Sequence, residues 1–317
     1  MTTHSYPAPD PVIIDAEVFT ELPGHLRRPG VSSYWAEKNR HGQAVDSFIE
    51  GPSFDREGNL YFVDIPFGRV FRAASDGMVE QVTEYDGQPN GLRIHRDGRI
   101  FLADYQNGIM LLDPKGGAVT PALSDCDTEG FKGCNDLHFG RDGTLFFTDQ
   151  GQTGLHDPTG RVYRWQPETG RLDCLIDTAP SPNGLVLDLA ERVLFVAVTR
   201  ANAVWRLILS PSGRVNKAGL FIQFSGGRAG PDGLALTASG GVVVCQTGMG
   251  LVWVHNALGQ PVAVVRSPQG LGTTNCAWGG ADGRSLFITE SDSGSILRAT
   301  FPPHLDISGA PMFAHAE

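Results

Sequence analysis

An oxygen-bearing side chain returns six times along this chain, each time at the head of a short apolar run that turns into a second one. The residues are Glu50 in IEGPSF, Asn90 in PNGLRI, Asn135 in CNDLHF, Asn183 in PNGLVL, Asp232 in PDGLAL and Asn275 in TNCAW. Successive intervals are 40, 45, 48, 49 and 43 residues. A period of about 40–50 residues with several strands per unit marks a β-propeller, in which each unit is one blade. If every unit is a blade, the six oxygens stand at one height around a common axis.

The strands of each unit can be read in order. The first two are joined by turns at Glu57-Gly58-Asn59, Asp97-Gly98, Asp142-Gly143 and Asp282-Gly283, while unit four uses Leu189-Ala190-Glu191. Asp-Gly between apolar runs is a strong hairpin signal, because glycine takes the positive φ such turns need. A third strand follows in each unit (GRVFRAA, GIMLLDP, GRVYRWQP, AVWRLILS, GLVWVHN, GSILRATF), and most units offer a fourth, as in MVEQVTEY and KAGLFIQF. The expected fold is all-β: a six-bladed β-propeller of four-stranded antiparallel blades around a central channel. Leu92/Ile94, Leu137/Phe139, Leu185/Leu187 and Leu234/Leu236 recur with period two, so one face of each first strand should pack against the next blade.

A single domain is expected over 1–317, with blades in 46–301, an N-terminal extension in 1–45 and a tail in 302–317. The outer strand of the last blade is to come from Val12–Leu22 or from Pro311–His315, and the sequence does not choose. Gly24–Val45, with Pro29, Gly30 and Trp35, fits no strand pattern and reads as a lid over the mouth or as a surface connection.

Composition narrows the function. A net charge of −10 argues against nucleic acid or an anionic membrane as partner. The five cysteines form no CxxC, which speaks against a zinc-thiolate or dithiol site and for a reducing compartment. The start MTTHSYPAPDPVII lacks a signal-peptide pattern, and no apolar run nears the roughly 18–20 residues of a spanning helix, so a cytoplasmic setting is expected. There is no HExxH, Walker loop, GxSxG elbow or GxGxxG after a strand.

Carboxylates and carboxamides on one ring, without histidine or thiolate, suit a single hard divalent cation. Ca²⁺ is expected first, with Mg²⁺, Mn²⁺ and Zn²⁺ behind it; zinc favours nitrogen and sulfur. Six groups exceed what one ion takes alongside water, so four should ligate and two should orient water or substrate. Loops on the same face carry Tyr105, Gln106, His156, Asp157, Arg200, Glu290 and Asp292, with Lys132 and Arg228 from the entering loops. Such loops are where binding groups gather. Each has a plainer reading: Asn-Gly is by default a turn, and a loop histidine or arginine by default a solvated group. His95 and His138 read as packing residues inside strands, and Cys134 as a small buried filler.

On IEGPSFDREGNLYFVDI, CNDLHFGRDGTLFFTD, SPNGLVLD, GPDGLAL and TNCAWGGADGRSLFITES, the chain resembles the senescence-marker-protein/gluconolactonase/luciferin-regenerating-enzyme family. The resemblance spans about residues 46 to 301. It implies a divalent-metal site from Glu50, Asn183 and Asp232, joined by Asn135, and hydrolysis of a lactone, commonly a sugar lactone. In that chemistry the metal acts as a Lewis acid on the carbonyl. Asp232, with Glu50 as second choice, takes a proton from water, while Asn90 and Asn275 hold water or substrate. Tyr105, Lys132, His156, Arg200 and Arg228 are the further candidates for substrate contact. One departure stands out: animal members carry an arginine two residues before the asparagine, where this chain has Gly133 beside Lys132. The rival readings are a phosphotriesterase like the related diisopropyl-fluorophosphatase, with its similar Glu, Asn, Asn, Asp calcium set, and a non-catalytic calcium- or ligand-binding propeller.

Overall fold

The computed structural model describes residues 10–310. Six sheets stand in chain order around one axis, each led by an inner strand: Ile49–Phe54, Pro89–Ile94, Cys134–Phe139, Pro182–Leu187, Gly230–Leu236 and Thr273–Gly279. We number the blades 1 to 6 in that order. Each inner strand packs beside the next, and the sixth packs beside the first, so the ring is closed. The period-two residues do what their spacing required: Leu92, Leu137, Leu185, Leu187, Leu234 and Leu236 are buried between blades, while Ile94 and Phe139 are half-buried. Each such aliphatic side chain contributes about 1.5–3 kcal/mol of apolar burial.

Closure comes from the N-terminal side. Glu17–Glu21 pairs antiparallel with Ser295–Thr300 as the outer strand of blade 6, and Val12–Asp15 runs parallel to Pro261–Arg266 as a fifth strand of blade 5. Phe19 meets Phe287 edge-on at 5.1 Å, and Leu22 sinks into the core shared by blades 6 and 1. The other candidate for this role, Pro311–His315, lies outside the described residues.

Turns follow the expected chemistry, with positive φ at Gly58, Gly98, Gly143, Gly240 and Gly283. Blade 4 achieves it without glycine: Glu191 takes φ 54°, and Asp188 Oδ1 accepts the amides of Arg192 and Val193 at 2.7 and 2.8 Å. His95 falls just past its strand rather than inside it, because the turn begins there; its Nδ1 meets Asp97 Oδ1 at 2.8 Å. His138 is within its strand as expected, and Cys134 is a buried filler whose thiol pKa burial pushes well up.

A second repeat holds the inner strands in place. Asp64, Asp104, Asp149 and Glu290 end the second strands of blades 1, 2, 3 and 6 and are fully buried. Each accepts a backbone amide from the segment entering its own inner strand: Phe48 at 2.7 Å, Gln88 at 2.9 Å, Gly133 at 2.7 Å and Gly272 at 2.9 Å. Asp104 also accepts from Gln106 N, Asn107 N and the Tyr85 hydroxyl at 2.8, 2.8 and 2.6 Å. Asp104→Ala leaves these donors without an acceptor and should lower unfolding free energy by about 2 kcal/mol in a urea titration. A change below about 0.5 kcal/mol would show that water replaces the clamp.

Helix Tyr34–Asn39 starts where Ser33 Oγ caps the Ala36 amide at 3.2 Å. Trp35 and Ala36 are buried against Ile65, with Phe48 and Val45 alongside, which fixes the segment to blade 1.

Candidate active site

All six ring residues lie within the inner strands, at the second or third position, rather than ahead of them. In every blade the pairing with the second strand slips at this point, between Glu50/Ser53, Pro89/Gly91, Cys134/Leu137, Pro182/Leu185, Pro231/Leu234 and Thr273/Asn275. Such an irregularity frees a residue from the ladder and re-aims its side chain. The glycines that follow are not turn residues either. A Cβ on Gly91 would lie 2.8 Å from Asn135 O, one on Gly184 2.4 Å from Asp232 O, and one on Gly233 2.2 Å from Asn275 Oδ1. Glycine is there so that neighbouring inner strands can close on the axis. Blades 3 and 6 break this rule, carrying Asp136 and Cys276 where Gly51, Gly91, Gly184 and Gly233 stand in the other four.

Asp136 is therefore a third acid at the ring, itself buried, and the sequence reading missed it. The signal was present as CND in place of the NG or DG pair. Its Oδ1 accepts the Leu137 amide at 2.7 Å and its Oδ2 accepts from Asn275 Nδ2 at 3.1 Å. Burial raises the pKa of Asp136, and the Arg93 charge opposes that rise. Glu50 is 3% exposed and its pKa is raised well above the carboxylate range, by burial first and then by the charges of Asp232 and Asp136. Asp232, half-buried, is pushed up to about 7, mainly by burial, with hydrogen bonds from Thr247 and Asn183 pulling the other way.

The hydrogen bonds sort the amides. Asn135 Nδ2 donates to Gln150 Oε1 at 2.9 Å, and Gln150 Nε2 in turn donates to Ser181 Oγ at 2.9 Å. Asn183 bonds the Asp232 carboxylate, whose Oδ2 also accepts from the Thr247 hydroxyl at 2.8 Å. Asn275 is engaged at both ends, with Oδ1 accepting the Cys276 amide at 2.8 Å. No three His, Cys, Asp or Glu side chains among the described residues close on one point. A cation here would need the mixed set of carboxylate and amide oxygens. That set fits a hard dication, which would offset the mutual repulsion of acids that burial has stripped of water.

Around the mouth the other candidates separate. Tyr105 accepts at its hydroxyl from Gln152 Nε2 at 2.8 Å, and the same nitrogen reaches Asn39 Oδ1 of the N-terminal helix at 3.3 Å. The Tyr105 ring fills the place where a side chain at Gly133 would sit, since a Cβ there would lie 2.5 Å from it. His156 and Arg200 come together at Gly154, where a Cβ would be 3.1 Å from His156 Nδ1 and 3.6 Å from Arg200 Cγ. Lys132 is held by Thr159 Oγ1 at 2.5 Å, which itself donates to Asp157 at 2.7 Å. Arg228 is exposed on the rim beside Gly248. Glu290, named as a loop binding group, is instead one of the buried backbone acceptors; Gln106 gives its amide to Asp104, and Asp292 pairs with Arg40 at 3.6 Å. Below the ring, Arg93 and His138 line a cavity of about 180 Å³ at the opposite end of the channel.

The description "SMP-30/Gluconolactonase/LRE-like region" matches residues 48–292, which spans all six ring positions. The chain belongs to this family. The lactonase drp35 of Staphylococcus aureus is 27% identical over 278 residues, covering 84% of this chain and 77% of that protein. Two solved folds superpose with a TM-score of 0.72: a gluconolactonase from Xanthomonas campestris at 23% identity, covering 94% and 99% of the two chains, and a calcium-binding regucalcin from Agrobacterium tumefaciens at 20%, covering 94% and 97%. At those identities the structures speak for the shared propeller. No helix among the described residues is long and apolar enough to cross a membrane.

Proposed function

We propose that this family member hydrolyses a lactone with the help of one divalent cation, Ca²⁺ first, held by Glu50, Asn135, Asn183 and Asp232. The observation that carries the reading is the pair Glu50 and Asp232, two acids that repel each other inside the ring beside uncharged amides. The bound ion would supply Lewis-acid polarisation of the lactone carbonyl. Asp232 accepts the proton of the attacking water. The Thr247 hydroxyl fixes one of its oxygens and leaves the other lone pairs of the carboxylate to receive that proton. As the ring C–O bond breaks, the same proton passes to the departing oxygen, leaving a hydroxy acid. Asn275 and Asp136 hold each other and keep the floor of the site rigid.

Helix Tyr34–Asn39 supports a roof role for the N-terminal extension, since it packs on blade 1 and its Asn39 meets Gln152 of blade 3. The five free cysteines support a reducing, cytoplasmic setting. The test is an assay of aldonolactones, aliphatic lactones and fluorophosphates on metal-loaded and chelator-treated protein. Lactone turnover that disappears with chelator and returns with Ca²⁺ is expected. Turnover confined to fluorophosphates, or unaffected by chelation, would refute the proposal.

A further inference from the structure

The mouth above the ring has two unlike sides. On the side of blades 1 to 3, Gln152 joins the Tyr105 hydroxyl to Asn39 in an uncharged hydrogen-bonded group. On the other side stands Arg200. It lies on the short turn of helix Thr199–Ala201, which is fixed over blade 5 by the bond from Thr199 Oγ1 to Pro231 O at 2.8 Å. Pro231 is the neighbour of Asp232, and the charge of Arg200 is felt by the Asp232 carboxylate. Arg200 reaches this place because Gly154 leaves room for it and for His156.

Many surface arginines are tied to acids, as in Arg28–Glu84, Arg161–Glu129, Arg266–Asp15 and Arg298–Glu17, whereas Arg96, Arg192, Arg206, Arg214 and Arg228 are exposed without one among the described residues. Arg200 is likewise exposed with no ion pair among the described residues, and what sets it apart is its place, next to the Thr199 that bonds Pro231 O beside Asp232. An unpaired guanidinium beside buried acids, on a protein with a net charge of −10, is a local anion receptor in a field that otherwise repels anions. A guanidinium matches a carboxylate with two parallel hydrogen bonds.

We propose that the substrate is a lactone that carries a free carboxylate, the monolactone of a hydroxy dicarboxylic acid, with that carboxylate held by Arg200 and the lactone carbonyl at the ring. The proposal rests on the lactonase reading and narrows it to one substrate class. Tyr105 and Gln152 then face the uncharged part of the molecule.

The experiment compares kcat/KM for a carboxylated lactone, its neutral parent lactone and a phosphorylated analogue, on the Ca²⁺-loaded protein and on Arg200→Gln and Arg200→Lys. The carboxylated substrate should lead the neutral one by about tenfold or more, in line with charge-assisted hydrogen bonds. That ratio should collapse toward one in Arg200→Gln and be partly restored in Arg200→Lys. A general loss of structure would lower both substrates and leave the ratio in place. An unchanged ratio in an Arg200→Gln protein that keeps its turnover of the neutral lactone, or preference of the unsubstituted protein for the neutral or phosphorylated lactone, overturns the assignment. Calorimetric binding of the ring-opened dicarboxylate is measured alongside. If no lactone is turned over, the lactonase reading fails, while weaker dicarboxylate binding by Arg200→Gln still upholds the carboxylate contact and equal binding rejects it.

Discussion

Asp232→Asn is expected to lower kcat by about a thousandfold or more, the range in which removal of a general base falls. The asparagine keeps the shape and can still bond Thr247, whose hydroxyl now meets Asp232 Oδ2 at 2.8 Å. What it cannot do is accept the water proton or contribute a full charge toward a dication. The same substitution should leave the metal-free protein at least as stable as the unsubstituted one, because it removes an anion confined with Glu50 and Asp136. Thermal unfolding in chelator and kcat with saturating Ca²⁺, measured on one preparation, test both halves. An active Asp232→Asn protein removes the base from the mechanism, and an inactive one with a collapsed melting point would point to misfolding instead.

Stability should fall on acidification through His255, at the end of strand Leu251–His255 in blade 5. Its ring is buried, packs against Phe224 at 5.8 Å, and its Nδ1 has no partner among the described residues. Burial lowers its pKa from the ordinary 6.5 to about 4. Above about pH 6.5 both folded and unfolded forms are neutral and nothing is lost. Between that pH and about 4 the unfolded chain takes up the proton first, so the fold loses about 3 kcal/mol by pH 4 from this group. Asp64 acts in the opposite sense, because burial raises its pKa to about 6 and the fold gains as pH drops through that value. The difference between unsubstituted protein and His255→Gln therefore isolates the histidine: urea unfolding curves from pH 7 to 4 should diverge by about 3 kcal/mol. Parallel curves would mean that His255 titrates as an ordinary solvated imidazole.

Much of the site could be read before the fold was known, and the reason is the repeat. Glu50, Asn90, Asn135, Asn183, Asp232 and Asn275 share one register because each occupies the same slip in the same strand of its blade. The readings that failed were local ones. Recurrence outweighed the plainer reading of Asn-Gly as a turn, which arises because turn chemistry and close strand approach both select glycine. Glu290 looked like a loop ligand because nothing in LFITES tells an acid facing a channel from one facing backbone amides. Asp136 went unnoticed because it breaks the pattern, and a search for recurrence passes over the exception.

Fold class, blade number and the height of the oxygen ring were determined by sequence alone, since strand period and turn residues are properties of neighbours along the chain. Tertiary structure decided the rest. It chose Glu17–Glu21 to close blade 6, where Phe19 and Leu22 find a hydrophobic seat. It brought the turn that carries Arg200 in blade 4 against the inner strand of Asp232 in blade 5, and set Tyr105 of blade 2 over Gly133 of blade 3. Such pairings join residues tens of positions apart, and their energies depend on burial and mutual distance, which no local pattern encodes.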